Sequence, residues 1–352
     1  MHVVMDERSA GFIALGMAQQ LAKPVVLICT SGSAAYNYAP AVAEAFFQQI
    51  PLLILTADRP QEWIHQLDGQ TIYQSGIYGK HVKADYNLPA EYTHQDSRWM
   101  INRICNEAIA TSQNIPCGPV HINVPIREPF YPTAEDVYSP SPNLRMIQQT
   151  PTEKTLPVAI WQELLAEWGD ARRILIVCGQ HKPSERINQA LRRITEELHV
   201  PVVADSIANL QGSGLFIKNH DLFLPVAEGD NIQPNLLITY GLSVISKSLK
   251  LLLRQYPSVI HWHIADDAHV ADPFQSITRH IPVSGEYFFE KLFEEIDYSL
   301  YTSNSEPEND LQYFDYLQKL NLQTSTILTE YIDHVGDANI VNDINIVNSL
   351  ID

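Results

Sequence analysis

Four short motifs near the amino terminus carry side chains that could bind or transform a small molecule. Within residues 6–81 they follow one another in this order: Asp6-Glu7-Arg8, Thr30-Ser31-Gly32-Ser33, Thr56-Ala57-Asp58-Arg59-Pro60 and Gly69-Gln70-Thr71-Ile72-Tyr73-Gln74. A carboxyl group can hold or pass on a proton. A guanidinium matches a carboxylate with two hydrogen bonds, and a carboxamide both donates and accepts. Such groups suit a polar or anionic ligand.

Each motif alone also has an ordinary structural interpretation. An acid such as Glu7 at the start of a helix is stabilised by the helix dipole by about 0.3–1 kcal/mol, whether or not it takes part in chemistry. Ser31 and Ser33 could cap the helix that follows them. Arg59 could form salt bridges within its loop, and Gln70 could order a loop through its amide. No single motif is therefore specific.

Alternating strand-like and helix-like segments must position these motifs. Short apolar runs predict strands buried on both faces, at 24–30, 51–57 and 119–125. Between them, apolar residues recur at three- and four-residue spacing, which predicts helices over 9–22, 34–49 and 97–113. This alternation predicts a parallel α/β sheet. The second motif then lies at the carboxyl end of a strand, where free backbone N–H groups can meet an anion or a polar ligand.

A stretch rich in Ser, Pro and Thr after the first alternation predicts a connector. Beyond it the alternation resumes, with strands near 174–178, 200–204, 236–240 and 258–264 and helices near 184–198, 244–254 and 311–332. We therefore predict two doubly wound parallel-sheet domains. The predicted boundaries are 1–132 for the first domain, 133–156 for the connector, 157–301 for a Rossmann-like central domain, and 302–352 for a second connector and the beginning of a further domain.

The composition excludes several classes of protein. The chain carries 23 Lys and Arg against 41 Asp and Glu, a formal net charge of −18. Without a local basic patch, such a surface argues against nucleic-acid binding. No apolar run approaches the roughly 20 residues that cross a bilayer, and the first residues lack the basic and apolar regions of a signal peptide. Because the four cysteines are widely spaced and form no disulfide framework, we expect a cytoplasmic protein with reduced thiols.

Together the four motifs resemble the pyrimidine-binding domain of thiamine-diphosphate enzymes. The resemblance is strongest to the 2-succinyl-5-enolpyruvyl-6-hydroxy-3-cyclohexene-1-carboxylate (SEPHCHC) synthase family of menaquinone biosynthesis. It runs through the segments DERSAGFIALGMAQ, CTSGSA, PAVAEA, LLILTADRP, GQTIYQ and GPVHINVPIREPFYP, and more loosely to about residue 300. The resemblance implies a transferase that uses thiamine diphosphate and Mg²⁺, with 2-oxoglutarate and isochorismate as its substrates.

The resemblance implies that Glu7 is the catalytic acid that activates the cofactor. A carboxyl group that faces the pyrimidine ring in a mostly apolar pocket keeps a proton readily and can share it with the ring. The cofactor supplies the nucleophile, and the protein contributes positioning and proton management. In the family, 2-oxoglutarate loses CO₂ and the remaining unit adds to the conjugated double bond of isochorismate.

The resemblance also implies ligand contacts for five other residues. Thr30, Ser31 and Ser33 match positions beside the cofactor. Arg59 and Gln70 match positions that contact the anionic substrates, for which a planar guanidinium and a two-way carboxamide are suited.

The motif that holds the diphosphate and its metal in this superfamily, Gly-Asp-x followed by Asn, has no counterpart here. Gly229-Asp230 lacks the Asn at the family's spacing, and Gly336-Asp337 lies too near the end of the chain. We assign no metal ligand. The strand, helix and Ser-Arg-Ser loop that precede Asp-Glu-Arg in the family are not matched either. We expect an inactive piece of a homodimeric or homotetrameric enzyme whose sites form between subunits.

Two other interpretations stay open. One is another thiamine-diphosphate carboligase, similar to acetolactate synthase, whose central domain would hold FAD. The other is a non-catalytic α/β binding module whose central domain binds a nucleotide. Residues 174–184 read ILIVCGQHKPS, with one glycine where a dinucleotide fingerprint has three. We therefore expect no FAD or NAD in the central domain.

Overall fold

The computed structural model describes residues 1–127, 144–210, 214–227, 229–296 and 308–337. It divides into two compact units, Met1–Thr152 and Glu153–Asp352. Each unit is built on a parallel sheet flanked by helices, so the predicted fold class is confirmed. The division between the units lies inside the predicted connector 133–156. Most of the first half of this connector, and residues 338–352, lie outside the described residues.

The first unit has a four-stranded parallel sheet in the order β1-β2-β4-β3. Its strands are β1 (Val25–Cys29), β2 (Leu52–Asp58), β3 (Ala84–Asn87) and β4 (Val120–Pro125). Its helices are α1 (Glu7–Leu21), α2 (Ala34–Asn37), α3 (Ala39–Phe47) and α4 (Gln95–Gln113), with 3₁₀ turns at Gln61–Trp63 and Gly79–His81. The register pairs Cys29 with Thr56 and Thr56 with Asn123. The carboxyl ends of β1, β2 and β4 therefore lie at one edge of the sheet.

Small side chains let the helices approach this sheet closely. On one face, α1 and α3 cover β1 and β2 through buried residues that include Ala14, Ala18, Val42 and Ala45. On the other face, Ala108 of α4 packs with Leu53, Val120 and Ile122. β1 is an edge strand, and its Val26 and Ile28 remain 50% and 67% exposed.

The second unit has a five-stranded parallel sheet in the order β6-β5-β7-β8-β9. Its strands are β5 (Ile174–Cys178), β6 (Val202–Ala204), β7 (Leu236–Tyr240), β8 (Ile260–Ile264) and β9 (Arg279–Ile281). Its helices are α5 (Val158–Asp170), α6 (Glu185–Leu198), α7 (His220–Phe223), α8 (Gly229–Ile232), α9 (Lys247–Gln255), α10 (Gly285–Glu295) and α11 (Glu308–Asp337). The central strands are buried on both faces, which explains their continuous apolar sequences.

The first half of α11 packs within the second unit. Tyr313 and Leu317 are buried in one of its core clusters, and the Tyr313 hydroxyl donates to the Ile232 carbonyl oxygen at 2.8 Å. Asn321, one turn further along, is also buried. Part of the segment 302–352 thus contributes to this core. The assignment of this segment as the beginning of a further domain stays a prediction.

Candidate functional site

Glu7 is the first residue of α1 and is half-buried. The N-cap of this helix is Asp6, whose Oδ1 accepts the Ser9 N–H at 2.7 Å, and this bond holds the pKa of Asp6 below its usual value. Glu7 instead turns toward the end of α2, where its Oε2 accepts the Asn37 Nδ2–H at 3.2 Å. Capping is therefore performed by Asp6, whereas the Glu7 side chain bonds to Asn37.

The groups near Glu7 at the end of β1 remain neutral at neutral pH. Burial, with a smaller effect of Glu7, raises the pKa of the Cys29 thiol to about 12. Burial, followed by Cys29 and Glu7, raises the pKa of Tyr38 to about 12. The Tyr38 hydroxyl donates to the Ile28 carbonyl oxygen at 3.0 Å. Neither Cys29 nor Tyr38 therefore places a charge beside Glu7.

The Thr30–Ser33 motif forms the turn between β1 and α2. Ser31 is 8% exposed, whereas Thr30 and Ser33 are exposed. Ser33 precedes α2 in a helical conformation, and its side chain makes no capping hydrogen bond. The hydroxyl of Ser33 is therefore not committed to capping, the structural role that the sequence had offered for it.

Gly32 brings this turn against the fourth motif. Its φ of +86° lies in the left-handed region, and a Cβ there would lie 3.3 Å from both the Cα and the carbonyl oxygen of Gln70. Gln70 itself has a φ of 57°, a conformation uncommon for residues other than glycine. The Gly32 N–H donates to Gln74 Oε1 at 2.7 Å in a buried hydrogen bond. The second and fourth motifs are thus in direct contact.

The third motif places Arg59 directly after β2. Asp58 is 7% exposed, and its Oδ1 accepts the Arg59 N–H at 2.8 Å, so the carboxylate fixes the backbone of this loop. The Arg59 side chain is 22% exposed, with its Nε 3.8 Å from Asp68 Oδ2. This contact joins the loop to the segment just before Gln70.

A buried polar network behind these motifs centres on Asn123 of β4, which is 2% exposed. Its Oδ1 accepts from Thr56 Oγ1 at 3.0 Å and from Gln74 Nε2 at 3.1 Å. Its Nδ2 donates to Asp58 Oδ2 and to Asn87 Oδ1, both at 2.8 Å. One amide therefore links the ends of β2, β3 and β4 to the fourth motif.

A Thr-His-Asp chain lies next to this network but is closed to substrate. Thr56 Oγ1 is 2.8 Å from His121 Nε2, and His121 Nδ1 is 2.5 Å from Asp85 Oδ2. This resembles a nucleophile with its base and orienting acid. However, Thr56 and His121 are 0% exposed, and the Thr56 hydroxyl already donates to Asn123 Oδ1. These hydrogen bonds therefore link β2, β4 and β3 inside the fold.

The structure thus gathers the four motifs at one edge of the first sheet. Of the predicted site residues, Gln70 contacts the Ser31–Ser33 turn through Gly32, Arg59 reaches the loop before Gln70, and Glu7 bonds to the helix that the turn opens. Sequence reasoning missed Asn37 and Asn123. A lone Asn inside the apolar strand HINVP was a usable signal, because buried amides need several partners.

A metal site does not emerge from these residues. In the described part of the chain, no three or more His, Cys, Asp or Glu side chains lie close enough together to hold a metal ion. All four cysteines are free; Cys29 and Cys178 are buried, and Cys105 and Cys117 are partly exposed. Among the described helices, none combines the length and apolar character needed to cross a bilayer.

Replacing Gly32 tests the contact between the second and fourth motifs. Gly32→Ala should lower the free energy of unfolding of the first unit by about 1–2 kcal/mol, because alanine disfavours a positive φ and its Cβ would press against the Gln70 backbone. Gly16→Ala is the matched control. Gly16 lies within α1 with nothing within 4 Å of a Cβ, so alanine should stabilise the helix by about 0.5–1 kcal/mol. Urea unfolding followed by circular dichroism measures both, and equal effects would contradict the contact.

In the second unit, two loops are hydrogen-bonded to each other at the position where open α/β sheets bind nucleotides. Strand order reverses between β5 and β7, which marks that position. There the Gly179 N–H donates to Tyr240 O, the Gln180 N–H to Ser243 O and the Leu242 N–H to Gln180 O, each at 2.8 Å. A Cβ at Gly179 would lie 2.8 Å from the Leu242 carbonyl oxygen. Because these three N–H groups are already bonded, they are not available to a pyrophosphate, which disfavours both alternatives with a nucleotide or FAD in this unit.

Known proteins resemble this chain in sequence and in fold. Residues 1–79 match the family described as thiamine pyrophosphate enzyme, N-terminal TPP binding domain. A solved structure described as a thiamin diphosphate-dependent enzyme from Mycobacterium smegmatis superposes with a TM-score of 0.60 at 17% identity, covering 83% of this chain and 55% of that one. The matched domain therefore assigns residues 1–79 to the thiamine-pyrophosphate-binding class, and the solved structure shares the fold of the chain.

The relatives narrow this class. The SEPHCHC synthase of Cytophaga hutchinsonii is 44% identical over 292 residues, which are 82% of this chain and 51% of the relative. The synthase of Porphyromonas gingivalis is 37% identical over 83% of this chain and 50% of the relative. The synthase of Flavobacterium johnsoniae is 33% identical over 94% of this chain and 59% of the relative. The chain belongs to the SEPHCHC synthase family, and it spans about half the length of the curated relatives it matches.

Proposed function

We propose that the first unit forms the pyrimidine-binding side of a thiamine-diphosphate site in a SEPHCHC synthase. One observation carries the proposal. Glu7 is a half-buried carboxylate that does not cap its helix, and the groups near it, Cys29 and Tyr38, stay neutral. A carboxyl group in such surroundings can take up and release a proton in contact with a ring nitrogen.

In the proposed site Glu7 exchanges a proton with N1′ of the pyrimidine ring. Thiamine diphosphate, when bound, supplies the nucleophilic carbon that the reaction needs. Ser31 and Ser33 present hydroxyl groups to the pyrimidine side, and Thr30 borders the same turn. The uncommitted hydroxyl of Ser33 supports this role.

Arg59 and Gln70 are proposed to bind the two anionic substrates. The guanidinium would hold a carboxylate of 2-oxoglutarate or isochorismate, and the Gln70 amide would donate to and accept from the substrate. Both residues lie on loops that the buried network ties to the sheet. The proposed reaction is decarboxylation of 2-oxoglutarate and addition of the remaining unit to isochorismate.

The proposal extends to the assembly. Mg²⁺ and the diphosphate would be held by parts of the whole protein that the described residues do not include. We propose a homodimer or homotetramer in the cytoplasm, acting on small molecules rather than on nucleic acid or membranes. The net charge of −18 supports the exclusion of nucleic acid.

Completing the chain tests the proposal. We define the completed protein as this chain joined to the segments of the Cytophaga hutchinsonii synthase that lie outside the match. With thiamine diphosphate and Mg²⁺, it should release CO₂ from 2-oxoglutarate and form a product with isochorismate. The 352-residue chain alone should show no turnover, because its sequence lacks the family's diphosphate motif. A folded completed protein that binds the cofactor without turnover would contradict the proposal, and CO₂ release from pyruvate instead would favour an acetolactate-like carboligase.

A further inference from the structure

Gln74 joins three of the four motifs through one buried side chain. It is 1% exposed. Its Oε1 accepts the Gly32 N–H of the second motif at 2.7 Å. Its Nε2 donates to the Ala57 carbonyl oxygen of the third motif at 2.9 Å and to Asn123 Oδ1 at 3.1 Å. Gln74 itself belongs to the fourth motif, so its side chain fixes the distances between these loops.

The partners of Gln74 allow only one orientation of its amide. The Gly32 N–H is a donor, whereas the Ala57 carbonyl is an acceptor. Asn123 Oδ1 also acts as an acceptor, since Asn123 Nδ2 already donates to Asp58 and Asn87. Turning the amide over would set donor against donor and acceptor against acceptor. The network therefore holds the carbonyl of Gln74 toward Gly32.

This orientation bears directly on the ligand-binding loops. Gly32 lies between Ser31 and Ser33 and packs against the Gln70 backbone. We propose that Gln74 is a positioning residue that sets the Ser31–Ser33 turn and Gln70 relative to each other for ligand binding. The ligand part of this inference rests on the proposed function, whereas the positioning part rests on the hydrogen bonds alone.

Two substitutions separate positioning from ordinary structural support. Gln74→Leu removes the acceptor for the Gly32 N–H and both N–H donations. Gln74→Glu keeps an acceptor for Gly32, loses the donations and places a carboxylate in the network that contains Asp58. Both variants should lower the melting temperature by about 5 °C or more, and Gln74→Glu should be at least as destabilised as Gln74→Leu.

Amide hydrogen exchange of the 352-residue chain, resolved by NMR, is the readout. In Gln74→Leu the Gly32 amide should exchange at least about tenfold faster, the effect of losing one buried hydrogen bond. In Gln74→Glu it should stay within about threefold of the unsubstituted chain, although the fold is less stable. If Gly32 protection simply follows melting temperature across the variants, the proposal is wrong.

Asn321→Leu provides the matched control. Asn321 is a buried amide of the second unit whose Oδ1 accepts the N–H groups of Lys218 and Asn219, each at 3.2 Å. This variant should lower the melting temperature of the second unit and leave the Gly32 exchange rate unchanged. Faster exchange at Gly32 in Asn321→Leu would show that the probe reports general stability, which would overturn the assignment.

A cofactor-binding measurement tests whether the positioning by Gln74 affects ligand binding. Thiamine diphosphate with Mg²⁺ is titrated into the completed protein, which includes the parts proposed to hold the diphosphate, while the Ser31 and Ser33 amide signals are followed. The signals should shift in the unsubstituted completed protein and in its Gln74→Glu variant, with an affinity about tenfold lower in its Gln74→Leu variant. No shift in the unsubstituted completed protein would refute the cofactor assignment of this turn, while the exchange data would still decide whether Gln74 positions it. Equal affinities in all three chains would overturn the ligand part alone.

Discussion

Glu7→Gln should lower turnover of the completed protein by about 10²–10⁴-fold, the range that general acid–base groups contribute. The amide cannot take up and release a proton at the pyrimidine ring, so the step that activates the cofactor is lost. The fold should persist, because a glutamine Oε1 can still accept the Asn37 Nδ2–H that Glu7 accepts at 3.2 Å. Steady-state CO₂ release, together with circular dichroism, measures both effects.

Glu185→Gln is the control for the charge of a helix start. Glu185 is the first residue of α6 and follows the N-cap Ser184, just as Glu7 follows Asp6. If Glu7 served only the helix dipole, the two substitutions would have similarly small effects. We expect Glu185→Gln to retain activity. Comparable activity in both variants would remove Glu7 from the mechanism.

Acidification should destabilise the second unit through its buried histidines. His261 is 0% exposed, and its ring contacts Thr239 Oγ1 at 2.8 Å and Ser276 Oγ at 2.9 Å. Burial, followed by the neighbouring His263, lowers the pKa of His261 from 6.5 to about 4, against the opposing charge of Asp272. Burial also lowers the pKa of His263.

The sign of the effect follows from proton binding. Below pH 6.5 the unfolded chain takes up a proton on His261, whereas the folded chain does so only near pH 4. Stability present at neutral pH is therefore lost as the pH falls through this window. From His261 alone, the free energy of unfolding should decrease by about 2 kcal/mol between pH 7 and pH 5. Urea unfolding at both pH values measures the decrease. The probe is the fluorescence of the buried Trp161, Trp168 and Trp262, in a chain whose Trp63 and Trp99 are replaced by phenylalanine.

Two substitutions isolate this contribution. His261→Gln should be less stable at neutral pH but should lose less stability between pH 7 and pH 5. His199→Asn removes an exposed histidine with a left-handed backbone, φ 53°, a conformation that asparagine tolerates, and should keep the original dependence. Identical pH dependence in all three chains would contradict the role of His261.

The predicted strands and helices agree with the structure where the apolar pattern is long and continuous. The strands predicted at 51–57 and 174–178 are observed as Leu52–Asp58 and Ile174–Cys178. Sequence reasoning missed β3, whose four residues Ala84–Asn87 include an Asp and an Asn, and β9, which has three residues. Such short strands show no period of their own, and they form because a neighbouring strand offers hydrogen bonds.

The sequence by itself determined the fold class, the family and the residues worth testing. These depend on local features: apolar periodicity fixes helix and strand type, and the order of several motifs is specific even where each motif is weak. From such features Glu7, Thr30, Ser31, Ser33, Arg59 and Gln70 could be proposed as ligand contacts.

Only the tertiary structure decided how these residues meet. Gly32 and Gln74 are 42 positions apart in the chain, and Glu7 and Asn37 are 30 apart, so no local pattern could pair them. Parallel pairing brings the carboxyl ends of β1, β2 and β4 to one edge and places Asn123 beside Thr56. Because buried amides must satisfy their donors and acceptors, that register determines which loops Gln74 and Asn123 tie together.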